Sequence, residues 1–490
     1  MNLATGNSKW QKIDVALEEK DLATVHKLTN SLLKKDPTNQ TLLKLLVYSS
    51  KHDKSTWKQA YGYKSVLRFP EEIKEALDCE CLLMFIDIIE VFDGTLPAIQ
   101  FVAPLVQRMS NATPEYYAEL LLSTLGVKFQ ALNEFDLSMK YHDLALARSS
   151  TGFLASYNKA MSYIYFGKFL KALELYPKRW EWDQFPSEER IFSIPKIDFD
   201  DKNLASKKIV VWAEQGIGDQ VTWSQCLPQL VDIGWTKIRF EVHPKLVPLM
   251  KNSLDGIEVT PLPIYKNQFD SSNDPEFVQF DYHVPLYELY LWFHRSFEEY
   301  KTAQPFLRVD NQVASAFRSN LQSQFPGKDI IGIQWSSSLR DAVRNRTYLD
   351  EGCLSILKQL NDRVVFVAFN YSLTADEVKA VAKQTGLTLI AVDGVNHKDD
   401  LFLATSVMSG CDGFLGVASA PTWQAAYSGV PTISLSFSEV PQKQPQSKPF
   451  VTCHNPIFGP VNGKEHLIQH LVDNYASISD WFKNNRIPVS

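Results

Sequence analysis

Residues 208–230 read KIVVWAEQGIGDQVTWSQCLPQL, and this stretch decides the fold. A run of β-branched and aromatic residues from Ile209 to Trp212 predicts a strand buried on both faces. The Gly216-Ile217-Gly218-Asp219 turn follows it, and then an amphipathic stretch with helical spacing. Strand, glycine turn and helix in that order make one unit of a parallel sheet. Gly216 and Gly218 permit a tight turn and close approach of a ligand to backbone, and Asp219 falls at the start of the helix. The loop lacks the third glycine of a dinucleotide fingerprint, so a nicotinamide cofactor does not fit it. Asp219 is then either a helix cap, worth about 1 kcal/mol, or a carboxylate placed to take a proton from an acceptor.

Downstream, the same alternation continues. KIRFEVH (237–243), IEVTPLP (257–263), IIGIQW (330–335), VVFVAFNY (364–371), LTLIAVD (387–393), GFLGVAS (413–419) and VPTISLSF (430–437) are short apolar runs separated by amphipathic or turn-rich segments. An amphipathic helix from Asn311 to Phe325 divides them into two groups. We read two Rossmann-like domains, 208–325 and 326–490, facing one cleft. Ligands of such sheets bind outside the carboxyl ends of the strands, so the loops there carry the candidate chemistry. After IIGIQW, whose last residue is Trp335, come Ser336, Ser337 and Ser338, then Arg340, Arg344 and Arg346. Guanidinium forks match phosphate oxygens, although a solvated basic loop would look the same. Asn370 and Tyr371 form a polar tip suited to a nucleobase or ribose. Ser419 and Thr422 flank a helix start, where hydroxyls and amides make an anion site, or simply cap the helix.

Upstream, residues 13–182 carry apolar residues at helical spacing with no strand signal. ALNEFDLSMKY from Ala131 aligns with YFGKFLKALEL from Tyr165, setting Asn133 on Gly167 and Phe135 on Phe169, 34 residues apart. That is the length of a tetratricopeptide repeat, in which an aromatic on the second helix fills the gap to the first. Residues 1–185 are therefore expected to be a tetratricopeptide-like helical repeat domain. Residues 186–207, polar and with Pro186 and Pro195, read as a linker that would leave the α/β pair independent of the repeats.

A formal net charge of −6 over 490 residues offers no electrostatic reason for a nucleic-acid or anionic-membrane partner. The amino-terminal residues lack the pattern of a secretory signal, and no apolar run is long enough to span a bilayer, so a cytoplasmic protein without membrane insertion is expected. Six cysteines without CxxC spacing read as free thiols. The ten histidines are scattered and no DxD pair ends a strand, which points to no metal cofactor. P-loop and Gly-x-Ser-x-Gly signatures are missing as well. Sugar-nucleotide transfer or a binding module remains.

Taken in order, ALELYPKRWEW (172–182), VVWAEQGIGDQVTWSQCLPQL (210–230), GIQWSSSLRDAVRNRTYL (332–349), VVFVAFNY (364–371) and GVASAPTWQAAYSGVPTISL (416–435) resemble the bacterial tetratricopeptide-repeat glycosyltransferases of the GT-B type. That group includes the flagellin glycosyltransferases and is distantly similar to O-GlcNAc transferase and the heptosyltransferases. The resemblance implies a metal-independent, inverting transfer of sugar from a nucleotide donor on the second Rossmann-like domain. The acceptor would be a protein, flagellin among the candidates, docked by the helical repeats, and a CMP-nonulosonic acid is one candidate donor. It implies Asp219 as base, with Gly216, Gly218, Trp335, Ser336, Arg344, Arg346, Asn370, Tyr371, Ser419 and Thr422 around donor and phosphate. The heptosyltransferase Asp-Thr-x-x-x-His donor loop is not kept: Ala418, Ser419 and Trp423 stand there. Two alternatives stay open, a repeat-based adaptor or chaperone with a non-catalytic nucleotide-sugar site, and a sugar-nucleotide epimerase. A homodimer is compatible with any of them.

Overall fold

The computed structural model describes residues 8–36, 39, 41–42, 45–46, 48–49, 82–83, 86, 89–90, 94–106, 115–183, 185–263, 270–294, 304–337, 348–435, 451–452 and 464–487. The chain divides into two compact units, Met1–Ser162 and Tyr163–Ser490. Among the described residues, no helix is long and apolar enough to cross a membrane.

The first unit is helical. Helix Leu22–Leu33 is capped by Asp21, whose side chain accepts from the Thr24 amide. Helices Glu115–Ala131 and Phe135–Arg148 form a hairpin whose turn residue Asn133 sits at φ +67. Thirty-four positions on, Gly167 takes φ +72 between helices Phe153–Tyr165 and Phe169–Leu175. Asn and Gly are the residues that enter the left-handed region most readily, so the alignment of these two positions has a backbone cause. The gap inside the first hairpin is filled by His142: a Cβ on Gly126 would lie 2.6 Å from its ring. His142 Nε2 pairs with Ser162 Oγ at 2.8 Å, and burial lowers its pKa to about 4. The second hairpin is cut short, because Pro177 ends the helix at Leu175 and the chain continues as a 3₁₀ turn, Tyr176–Glu181.

The second unit carries two parallel sheets. Strands β2 (Ile209–Trp212), β3 (Ile238–Val242), β4 (Ile257–Pro261) and β6 (Tyr282–Pro285) lie in the order β4-β3-β2-β6. Strands β7 (Asp329–Gln334), β8 (Val364–Ala368), β9 (Leu389–Ala391), β10 (Gly413–Val417), β11 (Thr432–Leu435) and β12 (Val451–Thr452) lie in the order β12-β11-β10-β7-β8-β9. Every pair is parallel. In the larger sheet, alternate residues feed opposite cores. Ile331, Ile333, Phe366 and Leu415 pack under helices Glu351–Leu357, Lys464–Asp473 and Tyr475–Asn484. Ile330, Val365, Val367 and Phe414 pack under helices Asn311–Gln324 and Leu401–Met408. Burial on both faces is why these strands read as unbroken apolar runs.

Residues 186–207 are not a free linker. Strand β1 (Ile191–Phe192) pairs in parallel with β5 (Asp270–Ser271), and Lys196 bridges to His283 beside β6. Arg190 is buried against Glu241 of β3, and its Nη2 donates to Ser271 Oγ at 2.8 Å. Apolar spacing misses these contacts, because the segment docks through isolated charged and aromatic side chains. The helical expectation for 1–185 differs in the same way: the compact-unit division falls at Ser162, and helix Phe169–Leu175 packs on helix Leu286–Phe293. Helix Asn311–Gln324, placed by the sequence in the first α/β domain, packs on β7 and on helix Leu401–Met408 of the second.

Candidate active site

Each sheet has one place where its strand order reverses direction, and parallel α/β sheets bind ligands in the crevice at the carboxyl end of that place. In the first sheet it lies between β2 and β6, in the second between β7 and β10. The Glu214–Asp219 loop leaves β2 and the Trp335–Ser337 segment leaves β7, while Ala418 and Ser419 leave β10. Gly216, Gly218 and Asp219 follow the first reversal point, and Trp335, Ser336 and Ser419 the second, while Asn370 and Tyr371 follow the neighbouring strand β8.

The two points meet. Helix Ile217–Trp223 touches helix Ala420–Tyr427, and a Cβ on Gly218 would lie 3.2 Å from both Cα and N of Ala420 and 3.4 Å from Trp423 Cδ1. Gly218 therefore serves close approach between the two halves. Gly216 caps helix Ile217–Trp223, and the exposed Asp219 reaches back to accept from the Gly216 amide at 3.2 Å. The capping geometry holds Asp219 at the helix start, next to the Gly218 approach to the second half.

On the second half the polar residues form one network. Asn370, buried, accepts from the Trp335 amide at 3.4 Å and donates to Ser336 O at 3.2 Å and Ser336 Oγ at 3.1 Å. Its amide is occupied in shaping the loop after β7. Ser337 Oγ and Tyr371 Oη are 2.5 Å apart. Gln334, fully buried, donates to Ser336 O and takes the Ser419 hydroxyl on its Oε1, which ties the loops after β7 and β10 together. Thr422 is fully buried and donates to Val417 O at 2.6 Å, so its hydroxyl braces the turn from β10 into the helix. Trp335, 6% exposed, packs into the core under the sheet. Arg344 and Arg346 lie outside the described residues.

A buried ion cluster stands behind the glycine loop. Arg179, from the 3₁₀ turn Tyr176–Glu181, is fully buried and forks onto Glu214, with Nε to Oε2 at 2.9 Å and Nη2 to Oε1 at 2.7 Å. Its Nη1 donates to Glu288 Oε1 at 2.9 Å and to Tyr176 O at 3.0 Å. Lys196 Nζ completes Glu288 at 2.7 Å. Burial opposes the charge on Arg179, but Glu214, Tyr176 and Glu288 outweigh it and raise the guanidinium pKa further. Its face also rests on Tyr176 and Trp180, at 4.0 and 3.9 Å from the ring centroids. The signal for this cluster was in the sequence: Glu288 is the lone charge in the apolar run Leu286–Phe293, and buried lone charges demand a partner.

No family model matches the chain. It is 23% identical over 333 residues to Protein FlbA of Caulobacter vibrioides, a match covering 61% of this chain and 54% of that protein. The chain thus spans about half the length of this curated relative. Among solved structures, it is similar to the ADP-heptose lipopolysaccharide heptosyltransferase II of E. coli, with a TM-score of 0.40, 14% identity, and 56% of this chain against 98% of that one covered. A glycosyl transferase family 9 protein of Veillonella parvula gives 0.38 and 13%, covering 58% of this chain and 98% of that chain. An O-GlcNAc transferase of Thermobaculum terrenum gives 0.27 and 10%, covering 98% and 94%.

Proposed function

We propose that the chain transfers a sugar from a nucleotide donor to an acceptor hydroxyl, with the donor on the second α/β half and the acceptor on the first. One observation carries this: the helices that follow the two reversal points are in contact, Gly218 against Ala420, which brings the carboxyl ends of two parallel sheets together. Such an arrangement suits a reaction that joins two molecules, each held by its own sheet. The order and spacing of the sequence motifs support the same assignment.

In this proposal Asp219 takes the proton of the acceptor hydroxyl as that oxygen attacks the anomeric carbon. The bond from that carbon to the donor phosphate breaks, inverting the centre, and the nucleotide leaves with the electron pair. Ser419, the start of helix Ala420–Tyr427, and Arg344 and Arg346 offset the charge on the departing phosphate without a metal. The Trp335–Ser337 segment and Tyr371 hold the nucleotide, with Asn370 and Gln334 setting their backbone. The acceptor is a protein docked by the helical unit, a flagellin-like chain being the first to try.

Two measurements test it. Titration calorimetry with CMP, UDP, GDP and ADP is expected to give binding by one of them, CMP pointing to a nonulosonic-acid donor. No binding at about 1 mM by any of the four would reject the transferase and equally an adaptor that keeps a nucleotide-sugar site. Asp219→Asn is expected to bind that nucleotide as wild type does, yet to lose roughly 10²–10⁴-fold in transfer rate. Transfer within about threefold of wild type would leave Asp219 a helix cap and no more.

A further inference from the structure

Between the end of β2 and helix Ile217–Trp223, the Glu214–Gly216 turn must hold the helix start, and with it Asp219, in one place if that residue is to work. Its conformation is unusual, because Gln215 lies at φ +60, where a non-glycine residue is held only by its surroundings. Those surroundings come almost wholly from the segment just before the α/β sheets. Tyr176 Oη accepts from Gln215 Nε2 at 2.7 Å, and Ser187 Oγ accepts from the Gln215 amide at 2.7 Å. Arg179 grips Glu214, the residue before Gln215, by both carboxylate oxygens. With its remaining nitrogen it grips Glu288, at the start of the helix after β6. One guanidinium therefore spans the strand ends on both sides of the first reversal point. From the other side, Gln220 Nε2 donates to Gln215 O at 3.1 Å while its Oε1 accepts from the His243 amide at 2.9 Å.

We propose that Arg179 is a positioning residue for Asp219, acting through Glu214 and Gln215. It rests on the glycosyl-transfer proposal only for the activity it serves; the loop geometry stands apart from it. Arg179 is fully buried, so in this proposal it acts without meeting donor or acceptor. Its planar fork fixes two carboxylates at once, which a lysine ammonium cannot do, so Arg179→Lys keeps the charge while releasing the loop. A general base moved by about 1 Å loses on the order of 10²-fold in rate.

The control is a second buried ion pair of the same half, Arg190 with Glu241, which ties β1 and β5 to β3. Arg179→Lys and Arg190→Lys are compared for melting temperature, nucleotide affinity, kcat, KM and hydrogen exchange at the Gly216–Asp219 amides. Arg179→Lys is expected to lower kcat by on the order of 10²-fold, to leave the nucleotide dissociation constant and KM within about threefold, and to speed exchange in the loop. Arg190→Lys, though similarly destabilised, is expected to leave kcat and loop exchange near wild type. Equal losses of kcat from the two variants, or a wild-type kcat in Arg179→Lys, would overturn the positioning role. If wild type transfers no sugar at all, the functional proposal falls by itself; the exchange comparison then decides on its own, and unchanged loop protection in Arg179→Lys rejects the role. A variant too unstable to purify is replaced by Tyr176→Phe, which removes the hydroxyl that accepts from Gln215 Nε2 and is expected to give the same loop exchange in milder form.

Discussion

Gly416, in the middle of β10, offers a sharp test of how the donor-side loop is braced. A Cβ built there falls 2.2 Å from Thr422 Oγ1, 2.9 Å from Phe414 Cε1 and 3.2 Å from Thr422 Cβ. Thr422 cannot yield without loss. It is fully buried, its hydroxyl donates to Val417 O, and a β-branched side chain in a helix has few alternative rotamers. Nor can the helix slide away, because its last residue, Tyr427, accepts from the amides of Phe306 and Leu307 through its carbonyl. Gly416→Ala therefore combines overpacking of about 1–3 kcal/mol with a buried hydroxyl driven off its acceptor, at about 1–3 kcal/mol. A total of roughly 2–6 kcal/mol is expected from urea unfolding, read as a fall in midpoint at constant slope. Thr422→Ala removes the clashing oxygen, so Gly416→Ala is expected to cost at least about 1 kcal/mol less in that background, within the range of contact couplings. Nucleotide affinity is expected to fall with the single variant, since Ser419 sits between the two positions. A destabilisation below about 1 kcal/mol in both backgrounds would show that the β10 turn gives way freely, and the bracing role of Thr422 would be wrong.

Two further predictions follow from burial. Burial holds His142 and His283 neutral, with pKa values lowered from 6.5 to about 4, Lys159 adding to the effect at His142 and Lys196 at His283. A group whose folded pKa lies below its unfolded value binds its proton more tightly unfolded when it is a base. The stability is thus complete above pH 6.5 and is lost as pH falls toward 4, about 2 kcal/mol for each histidine by pH 5. His283→Gln keeps an acceptor for Trp212 Nε1, which now donates to His283 Nδ1 at 3.3 Å, and is expected to remove its share of the slope between pH 7.5 and 5. Identical slopes in variant and wild type would reject it. A chain beginning at Ser206 lacks Tyr176, Arg179, Ser187 and Arg190, and leaves Glu214, Glu288 and Glu241 buried without these partners. At about 3–5 kcal/mol for each broken buried pair, it is expected to be insoluble or non-cooperative in urea, whereas a chain beginning at Tyr163 unfolds cooperatively; a well-folded Ser206 chain would count against the cluster.

Most strands were legible because residues buried on two faces are mainly apolar, Arg239 and Glu241 of β3 being paired exceptions, and the loops after them because glycine and serine interrupt such runs. What stayed hidden was which strands are neighbours. Strand order depends on crossovers whose direction leaves no mark on local spacing, so which strands flank the two reversal points came only from the structure. The 34-residue offset found real backbone correspondence between Asn133 and Gly167, but the offset alone did not foretell that the second hairpin would stop at Leu175. Pro177 was visible; its consequence, a 3₁₀ turn that carries Arg179 into the α/β unit, was not.

Polar residues at strand ends were the hardest to assign, for a reason that the Asn370 and Gln334 amides make plain. A loop leaving a parallel strand ends its sheet hydrogen bonds abruptly, and buried backbone groups there must be satisfied by side chains. Asn370 serves the Trp335 amide and the Ser336 carbonyl, and Gln334 serves Ser336 O and the Ser419 hydroxyl. Residue type and place along the strand cannot separate a side chain that meets a ligand from one that meets its own loop. Glu214 and Glu288 pose the same ambiguity with charge, and there the number of partners decides: each carboxylate is held by Arg179, with Lys196 completing Glu288. Burial raises the Glu214 carboxyl pKa to about 7 even against Arg179, so its role as a brace rests on its burial and its two-pronged partner and not on weak basicity. In the proposed mechanism Asp219, exposed at the start of helix Ile217–Trp223, is the carboxylate assigned to the acceptor, and the two buried ones brace the turn before it.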